Sequence, residues 1–330
     1  MGILFVTGVN DLSTMGVQVD NNNQLMYMAD GSCLVHGRIP LKKGIGGALM
    51  IFGKGVKQRK INFVEIPSLI FNQMSDPDTH HGALERCEEL CVETPCRVIN
   101  HPQRIRQTTR DHISKLLQGI PGVIMPRTVR FQPDSPEQVF EYAAGEKIDF
   151  PFIVRLAGDH GGKSMVLVES PEDHEALHVF PFDGRDFYLT EYVDYKDQEG
   201  LYHKQRIAVI DGEPVLRHSL FSDQWMVHAE SRQFMMSRET WAEHDSRMHQ
   251  LETVAIPKLL PAIREISNRL KLEYFGIDCY MRPDGEMLIF EANANMNILF
   301  NAYPEMNDRI KLLQQKILAM LARYSGEVVV

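Results

Sequence analysis

The residues best suited to chemistry lie in one short segment, GIDCYMRPDGEMLIFEANANMN, at positions 276–297. The Arg282-Pro-Asp-Gly285 turn inside it predicts two antiparallel strands joined by a tight connection. That pairing sets Asp278 opposite Glu291. Glu291 and Asn293 are two positions apart, so their side chains leave an extended strand on the same side. Two carboxylates and an amide oxygen on one face form a hard-oxygen cluster suited to Mg²⁺, which keeps several waters and bridges to substrate phosphates. A solvated acidic hairpin end is the other use of the same pattern.

A second segment, PFIVRLAGDHGGKSMVLV at 151–168, places Gly161 and Gly162 between two apolar strands. Glycine lacks a Cβ, so backbone N–H groups there can approach phosphate oxygens closely, and Lys163 and Ser164 add donors. A third, YHKQRIAVIDGEPVLRH at 202–218, puts Lys204 and Arg206 on one strand face. Arg217 follows on the returning strand, after an Asp211-Gly212 hairpin turn. Fixed cations at such positions stabilise negative charge that builds up during acyl or phosphoryl transfer. A basic strand face paired with surface acids uses the same residues. No Ser-His-Asp or Cys-His constellation competes with these groups.

The elements that must carry these residues alternate between strand and helix. Ile3 to Thr7 reads as a strand, and GIGGALMIFGKG at 44–55 as a glycine-rich turn before a strand over Ala48 to Phe52. That stretch lacks the Gly-Lys-Ser/Thr ending of a P-loop. Next come a strand over Leu69 to Asn72, a helix N-cap within SDPDTHH, a helix over Ala83 to Val92 and a strand over Arg97 to Asn100. A helix is expected over Gln103 to Gln118, a strand over Val123 to Phe131, and a helix from Ser135 to Ala144. The second half is denser in strands, with a long helical stretch from Arg238 to Leu270 broken near Pro257 and Pro261. A final amphipathic helix covers Arg309 to Tyr324. This order implies an α/β or α+β architecture.

Composition narrows the possibilities further. In 330 residues there are 35 Lys plus Arg against 44 Asp plus Glu, a net charge of −9. A polyanion-binding domain is usually basic, so no nucleic-acid partner is expected. Apolar runs are short, so no membrane partner is expected either, and the N-terminus lacks the basic start of a secretory signal. Five cysteines without such a signal predict free thiols and a cytoplasmic setting. Cys87 and Cys91 fall on one helix face beside Leu84 and Leu90, and the paired CxxC spacing of a zinc site is absent.

With these motifs in hand, the chain resembles the ATP-grasp superfamily, in particular carboxylate–amine ligases of the RimK-like, glutathione synthetase and D-alanine ligase type. Those proteins show an Asp, a hairpin, then Glu-x-Asn, commonly 13 residues after the Asp. Here 291 − 278 = 13 and 293 − 291 = 2. The resemblance covers roughly residues 100–300.

It implies two α+β sub-domains clamping ATP, at 106–190 and 191–330, behind a smaller α/β N-terminal domain at 1–105. It implies ATP and Mg²⁺ as cofactors, with Asp278, Glu291 and Asn293 holding the metal and Gly161, Gly162, Lys163 and Ser164 closing on the triphosphate. Arg155 stands where the family usually has a phosphate-binding Lys. In RDHISKLL, His112 takes the place of the other usual Lys, and either it or Lys115, one turn on, would reach the phosphates. FYLTEYVDYKDQEG resembles the adenine hinge, with Glu191 and the Val193 backbone on the base, Phe290 stacked nearby, and Asp194 or Asp197 on the ribose. The Arg that family members carry just before the metal Asp is missing from Phe275-Gly276-Ile277, which leaves the catalytic oxyanion contact to Arg206 or Arg217. The implied activity joins a small-molecule or peptide carboxylate to an amine through an acyl phosphate. A phosphotransferase and a nucleotide-binding sensor without ligation remain alternatives, as does a homo-oligomer.

Overall fold

A computed structural model describes residues 2–19, 25–28, 30–53, 55–58, 61, 63–159, 164–300 and 303–329. The N-terminal layer holds β1 (Ile3–Gly8), β2 (Gly16–Val19), β3 (Leu25–Met28), β4 (Gly46–Ile51), β5 (Leu69–Asn72) and β6 (Arg97–Ile99), with helices α1 (His81–Glu93) and α2 (Pro102–Ile105). Its main sheet is parallel, in the order β4-β1-β5-β6. A parallel sheet is covered on both faces, which is why β1 is a continuous apolar run rather than an alternating one. Ile3 and Phe5 pack on one side and Leu4 and Val6 on the other.

The middle of the chain forms α3 (Arg110–Leu117), β7 (Val123–Ile124), β8 (Thr128–Phe131), α4 (Pro136–Glu146), β9 (Phe152–Leu156), β10 (Met165–Val168) and β11 (Phe187–Glu191). Four of these strands make an antiparallel sheet in the order β10-β9-β11-β8. The remainder forms β12 (Tyr202–Ile210), β13 (Glu213–Ser222), α5 (Ser231–Met236), α6 (Trp241–Gln250), α7 (Ile256–Leu270), β14 (Tyr274–Met281), β15 (Met287–Ala294) and α8 (Asn307–Ser325). Its sheet runs β13-β12-β14-β15-β7, so the two-residue β7 leaves its chain neighbours and adds a parallel edge to β15.

The cores explain how the layers hold together. Residues of the N-terminal sheet share two clusters with the C-terminal sheet, one filled by α7 and the other by α8. The central sheet has its own cluster, built from Phe131, Phe152, Val154, Phe187 and Leu189. On α7, Leu259, Ile263, Ile266 and Leu270 are buried at helical spacing. Each contributes on the order of 1.5–3 kcal/mol by leaving water. No helix among the described residues is long and apolar enough to cross a membrane.

Several elements differ from the sequence expectation, for identifiable reasons. The single strand expected over 123–131 is two strands in two sheets, parted at Met125-Pro126-Arg127; Pro126 cannot donate to a ladder. The helix expected over 103–118 is broken into α2 and α3 between Arg106 and Thr109. The stretch 238–270 breaks earlier than expected, at a π-turn over Leu251–Ala255, and α7 continues through Pro261. The buried face of α7 outweighs the ~3 kcal/mol that an interior proline costs. The turn SDPDTHH does not cap α1 with a side chain of its own. Asp11, from the loop after β1, accepts from the N–H groups of His81 and Gly82, both at 2.9 Å.

One polar knot sets the height of β14 against the N-terminal layer. Asn100, buried and left-handed at φ 53°, accepts from the N–H groups of Glu273 (3.0 Å) and Tyr274 (3.1 Å). Its amide donates to the Tyr274 carbonyl (2.5 Å) and to Asn295 Oδ1 (2.7 Å), and Asn295 in turn donates to the Met74 carbonyl (2.5 Å). Asn100→Ala strands several of these groups without water, so unfolding free energy should fall by about 2–4 kcal/mol. A denaturant titration showing less than ~1 kcal/mol of loss would assign the knot no structural weight.

Candidate functional site

A cavity of about 990 Å³ opens where the three layers meet. The N-terminal layer contributes Asn10, Asp30, Ser75 and Asp76, the central layer Ile153, Arg155 and Met165, and the C-terminal layer Lys204, Arg206, Asp278 and Glu291. Its two ends differ in chemistry.

One end is apolar and aromatic, lined by Met125, Ile153, Leu288, Tyr195 and Phe290. The Tyr195 and Phe290 rings sit 4.9 Å apart at 53°. Glu191 and Val193 line the same end, at the close of β11 and just beyond it. The Glu191 carboxylate accepts from the Arg127 N–H at 3.0 Å, and its own N–H donates to the Arg127 carbonyl at 2.9 Å. This pairing fixes the carboxylate at the rim of the apolar floor.

The other end is charged. The β14–β15 register pairs Asp278 with Glu291 and Gly276 with Asn293, which brings the two carboxylates and the amide to one patch of wall. Arg206 lies opposite Asp278 in the β12–β14 register and grips it with two bonds, Nε to Oδ1 at 2.6 Å and Nη2 to Oδ2 at 2.8 Å. Lys204 Nζ adds a third contact to Asp278 at 3.0 Å. Arg110, at the start of α3, donates to Glu291 at 2.5 Å.

Burial alone would push both carboxyls up. The charges of Arg206 and Lys204 on Asp278, and of Arg110 on Glu291, overcome that and hold each below the ordinary carboxylate range. Both are therefore ionised, the state a metal ligand requires.

Arg155 completes the charged end. It is 9% exposed, its Nη2 donates to the Asp159 carbonyl at 2.5 Å, and its Nε is buried without a partner among the described residues. Burial, then the charge of Arg110, lowers its pKa to about 10, which still leaves it charged at neutral pH. Arg110, Arg155, Lys204 and Arg206 thus gather around Asp278 and Glu291, while Asp30, Asp76, Asp159 and Glu191 lie on other parts of the same wall. Clustered guanidinium and ammonium groups of this kind offer charge-assisted hydrogen bonds to phosphate oxygens. The donor set of Asp278, Glu291 and Asn293 fits Mg²⁺ by type, being all oxygen and doubly anionic.

Nine of the residues singled out from the sequence line this one cavity: Arg155, Glu191, Val193, Lys204, Arg206, Asp278, Phe290, Glu291 and Asn293. Others do not. His112 and Lys115 lie on the exposed side of α3, because Ile113, Ser114 and Leu117 take the buried side. Arg110 falls on that inner face and is the α3 cation that enters the cleft. Its spacing of three and four from Ile113 and Ser114 was the signal available for finding it. Arg217 points elsewhere. The β12–β13 register shifts between Arg206 and Ile207, leaving Arg217 out of the pairing. Its guanidinium donates to the Ile298 carbonyl at 2.6 Å and the Phe300 carbonyl at 2.7 Å, anchoring the chain after β15. Ser164 donates through both its N–H and its hydroxyl to Asp159 Oδ2, closing the base of its loop rather than lining the cavity. Gly161, Gly162 and Lys163 lie outside the described residues. From the segment 222–236, Trp225, Met226, Val227 and His228 reach the cavity wall.

By sequence, no family model and no curated protein matches the chain. By structure, similarity extends over the whole length of several solved proteins. A RimK-domain ATP-grasp protein from Sphaerobacter thermophilus DSM 20745 matches at TM-score 0.53 and 11% identity, covering 99% of this chain and 100% of that one. A D-alanine–D-alanine ligase from Bacillus anthracis matches at TM-score 0.55 and 13% identity, covering 99% and 97%. The VanG D-Ala:D-Ser ligase from Enterococcus faecalis matches at TM-score 0.54 and 12% identity, covering 97% and 99%. The chain therefore has the ATP-grasp fold. At these identities the likeness is one of fold.

Proposed function

We propose that the protein is an ATP- and Mg²⁺-dependent ligase that joins a carboxylate to an amine. The observation that carries this reading is the division of one cavity into an apolar, Glu191-edged end and an end where Arg110, Arg155, Lys204 and Arg206 meet Asp278, Glu291 and Asn293. A purine base suits the first end and a triphosphate the second. Glu191 would accept from the base amino group, with the Val193 backbone beside it and Phe290 against the ring. Two of the solved proteins that share this fold are named as ligases of amino acids.

Asp278, Glu291 and Asn293 would hold Mg²⁺, which when bound neutralises phosphate charge and orients the transferred group. The chain's own cations do the rest. Arg155 binds phosphate oxygens from the end of β9. Arg110 and Lys204, which pair with Glu291 and Asp278, would also offer their remaining N–H donors to phosphate oxygens in the same cavity. Arg206 keeps Asp278 oriented through its two-point grip and presents its outer edge toward the oxyanion that forms when an amine attacks the acyl phosphate. The polar wall of Asn10, Asp30, Ser75 and Asp76, facing Trp225–His228, is where the acid and amine would enter.

Incubation with ATP, Mg²⁺, hydroxylamine and a panel of small and peptide carboxylic acids tests the reading. Acid-dependent phosphate release with hydroxamate formation is the expected result. A stable phosphorylated acceptor without hydroxamate would instead make the protein a phosphotransferase. ATP binding with no acid-dependent release across the panel would make it a nucleotide-binding module.

A further inference from the structure

A second cluster of ligating side chains lies away from the nucleotide cavity. A 3₁₀ segment, Pro171–Val179, follows β10 and contains His174-Glu175-Ala176-Leu177-His178. Leu177 is fully buried in the central core, which turns the neighbouring polar residues outward. His174, Glu175 and His178 each offer a ligand atom, and these atoms all lie within 4.8 Å of one another. Ligands around a tetrahedral zinc ion are roughly 3.4 Å apart, given bonds of about 2.0–2.2 Å. The three ligand atoms must therefore draw together by up to about 1.4 Å to share one ion.

The surroundings organise the cluster. His174 Nε2 is 2.7 Å from Glu137 Oε1 in the first turn of α4, and its ring stacks on Phe140 with centroids 6.2 Å apart and 16° between planes. With Nε2 held by Glu137, Nδ1 is the nitrogen left for an ion. A carboxylate that fixes the far nitrogen of a ligating histidine sets its tautomer and makes it a stronger donor. The His178 ring stands edge-on to that of His174 at 5.3 Å and 76°.

We propose that His174, Glu175 and His178 form a transition-metal site of zinc type, oriented by Glu137, on the outer face of the central layer. Two imidazoles and one carboxylate select zinc over magnesium, so this site is chemically distinct from the all-oxygen set at Asp278 and Glu291. An ion held there fixes the 3₁₀ segment upon itself and holds His174 in the orientation that meets Glu137 of α4.

The test is Zn²⁺ titration of the full chain after chelator treatment, followed by calorimetry. One saturable site is expected, with a dissociation constant on the order of micromolar. His178→Ala removes an exposed ligand and should weaken binding at least about tenfold, with unchanged far-ultraviolet circular dichroism. Zn²⁺ should raise the melting temperature of the wild type and not of His178→Ala. Co²⁺ substituted into the site should give d–d bands without thiolate charge transfer, which separates it from Cys87, Cys91 and Cys96. Absence of saturable binding, equal affinity in His178→Ala, or a thiolate signature from the bound ion would each overturn the proposal.

Discussion

Glu291→Gln should reduce turnover by roughly 10²–10³-fold or more, the scale on which loss of one fixed charge at a reacting centre is felt. The substitution keeps the shape of the side chain and removes one negative charge from an all-oxygen cluster. Glu291 is paired with Arg110 at 2.5 Å, so the variant also leaves that guanidinium facing a neutral amide. Loss of a charge-assisted bond costs about 1–3 kcal/mol of stability, which thermal unfolding would register without loss of fold. Metal-free ATP binding should hold or tighten, because the cleft becomes more positive. The opposite directions of the two effects identify Glu291 as a metal ligand rather than a general structural anion. Near-normal turnover in Glu291→Gln at saturating Mg²⁺ would remove it from the metal site.

Arg155→Ala should raise the ATP dissociation constant by about ten- to a hundredfold. A charge-assisted contact is worth roughly 1.5–3 kcal/mol, and ~1.4 kcal/mol corresponds to one decade of affinity. Among the described residues Arg155 bonds the Asp159 carbonyl within its own hairpin, and its buried Nε has no partner. A buried donor of this kind is costly unless a ligand satisfies it. Burial, then the charge of the neighbouring Arg110, lowers its pKa, and Glu291 and Asp159 offset this only in part. Arg155→Lys should recover most of the affinity, since it restores a point charge at the same strand end, although not the planar fork. Calorimetric titration decides the matter: an affinity for Arg155→Ala within twofold of wild type would show that the phosphates lie elsewhere.

The parts of the site that were legible in the sequence are those governed by short-range geometry. The hairpin over 274–294 follows from apolar alternation around a Pro-Asp-Gly turn, and a period of two places Glu291 and Asn293 on one side. The turn brings Asp278 close to Glu291, but their direct pairing also needs a one-residue register shift between Asp278 and Cys279, which the turn does not specify. The strand that carries Arg155, Phe152–Leu156, was readable from its apolar residues as well. So was β1, whose unbroken run of apolar residues requires cover on both faces.

What tertiary structure decided was which face of each element turns inward and which distant strand it meets. α3 could be read as a helix, yet only its packing through Ile113, Ser114 and Leu117 brings Arg110 into the cleft and turns His112 and Lys115 outward. Lys204 and Arg206 share a strand face by parity, but their grip on Asp278 depends on β12 lying beside β14, a pairing of residues some seventy positions apart. One shift of register between Arg206 and Ile207 separates the fate of Arg206 from that of Arg217. Likewise Asp11 caps a helix seventy residues away, and Val123–Ile124 joins a different sheet from Thr128–Phe131. Local periodicity encodes the type and the parity of an element, because those depend on bonds and sterics within a few residues. Register and facing depend on which apolar surfaces exclude water together, a property of the assembled chain that no window of its sequence contains.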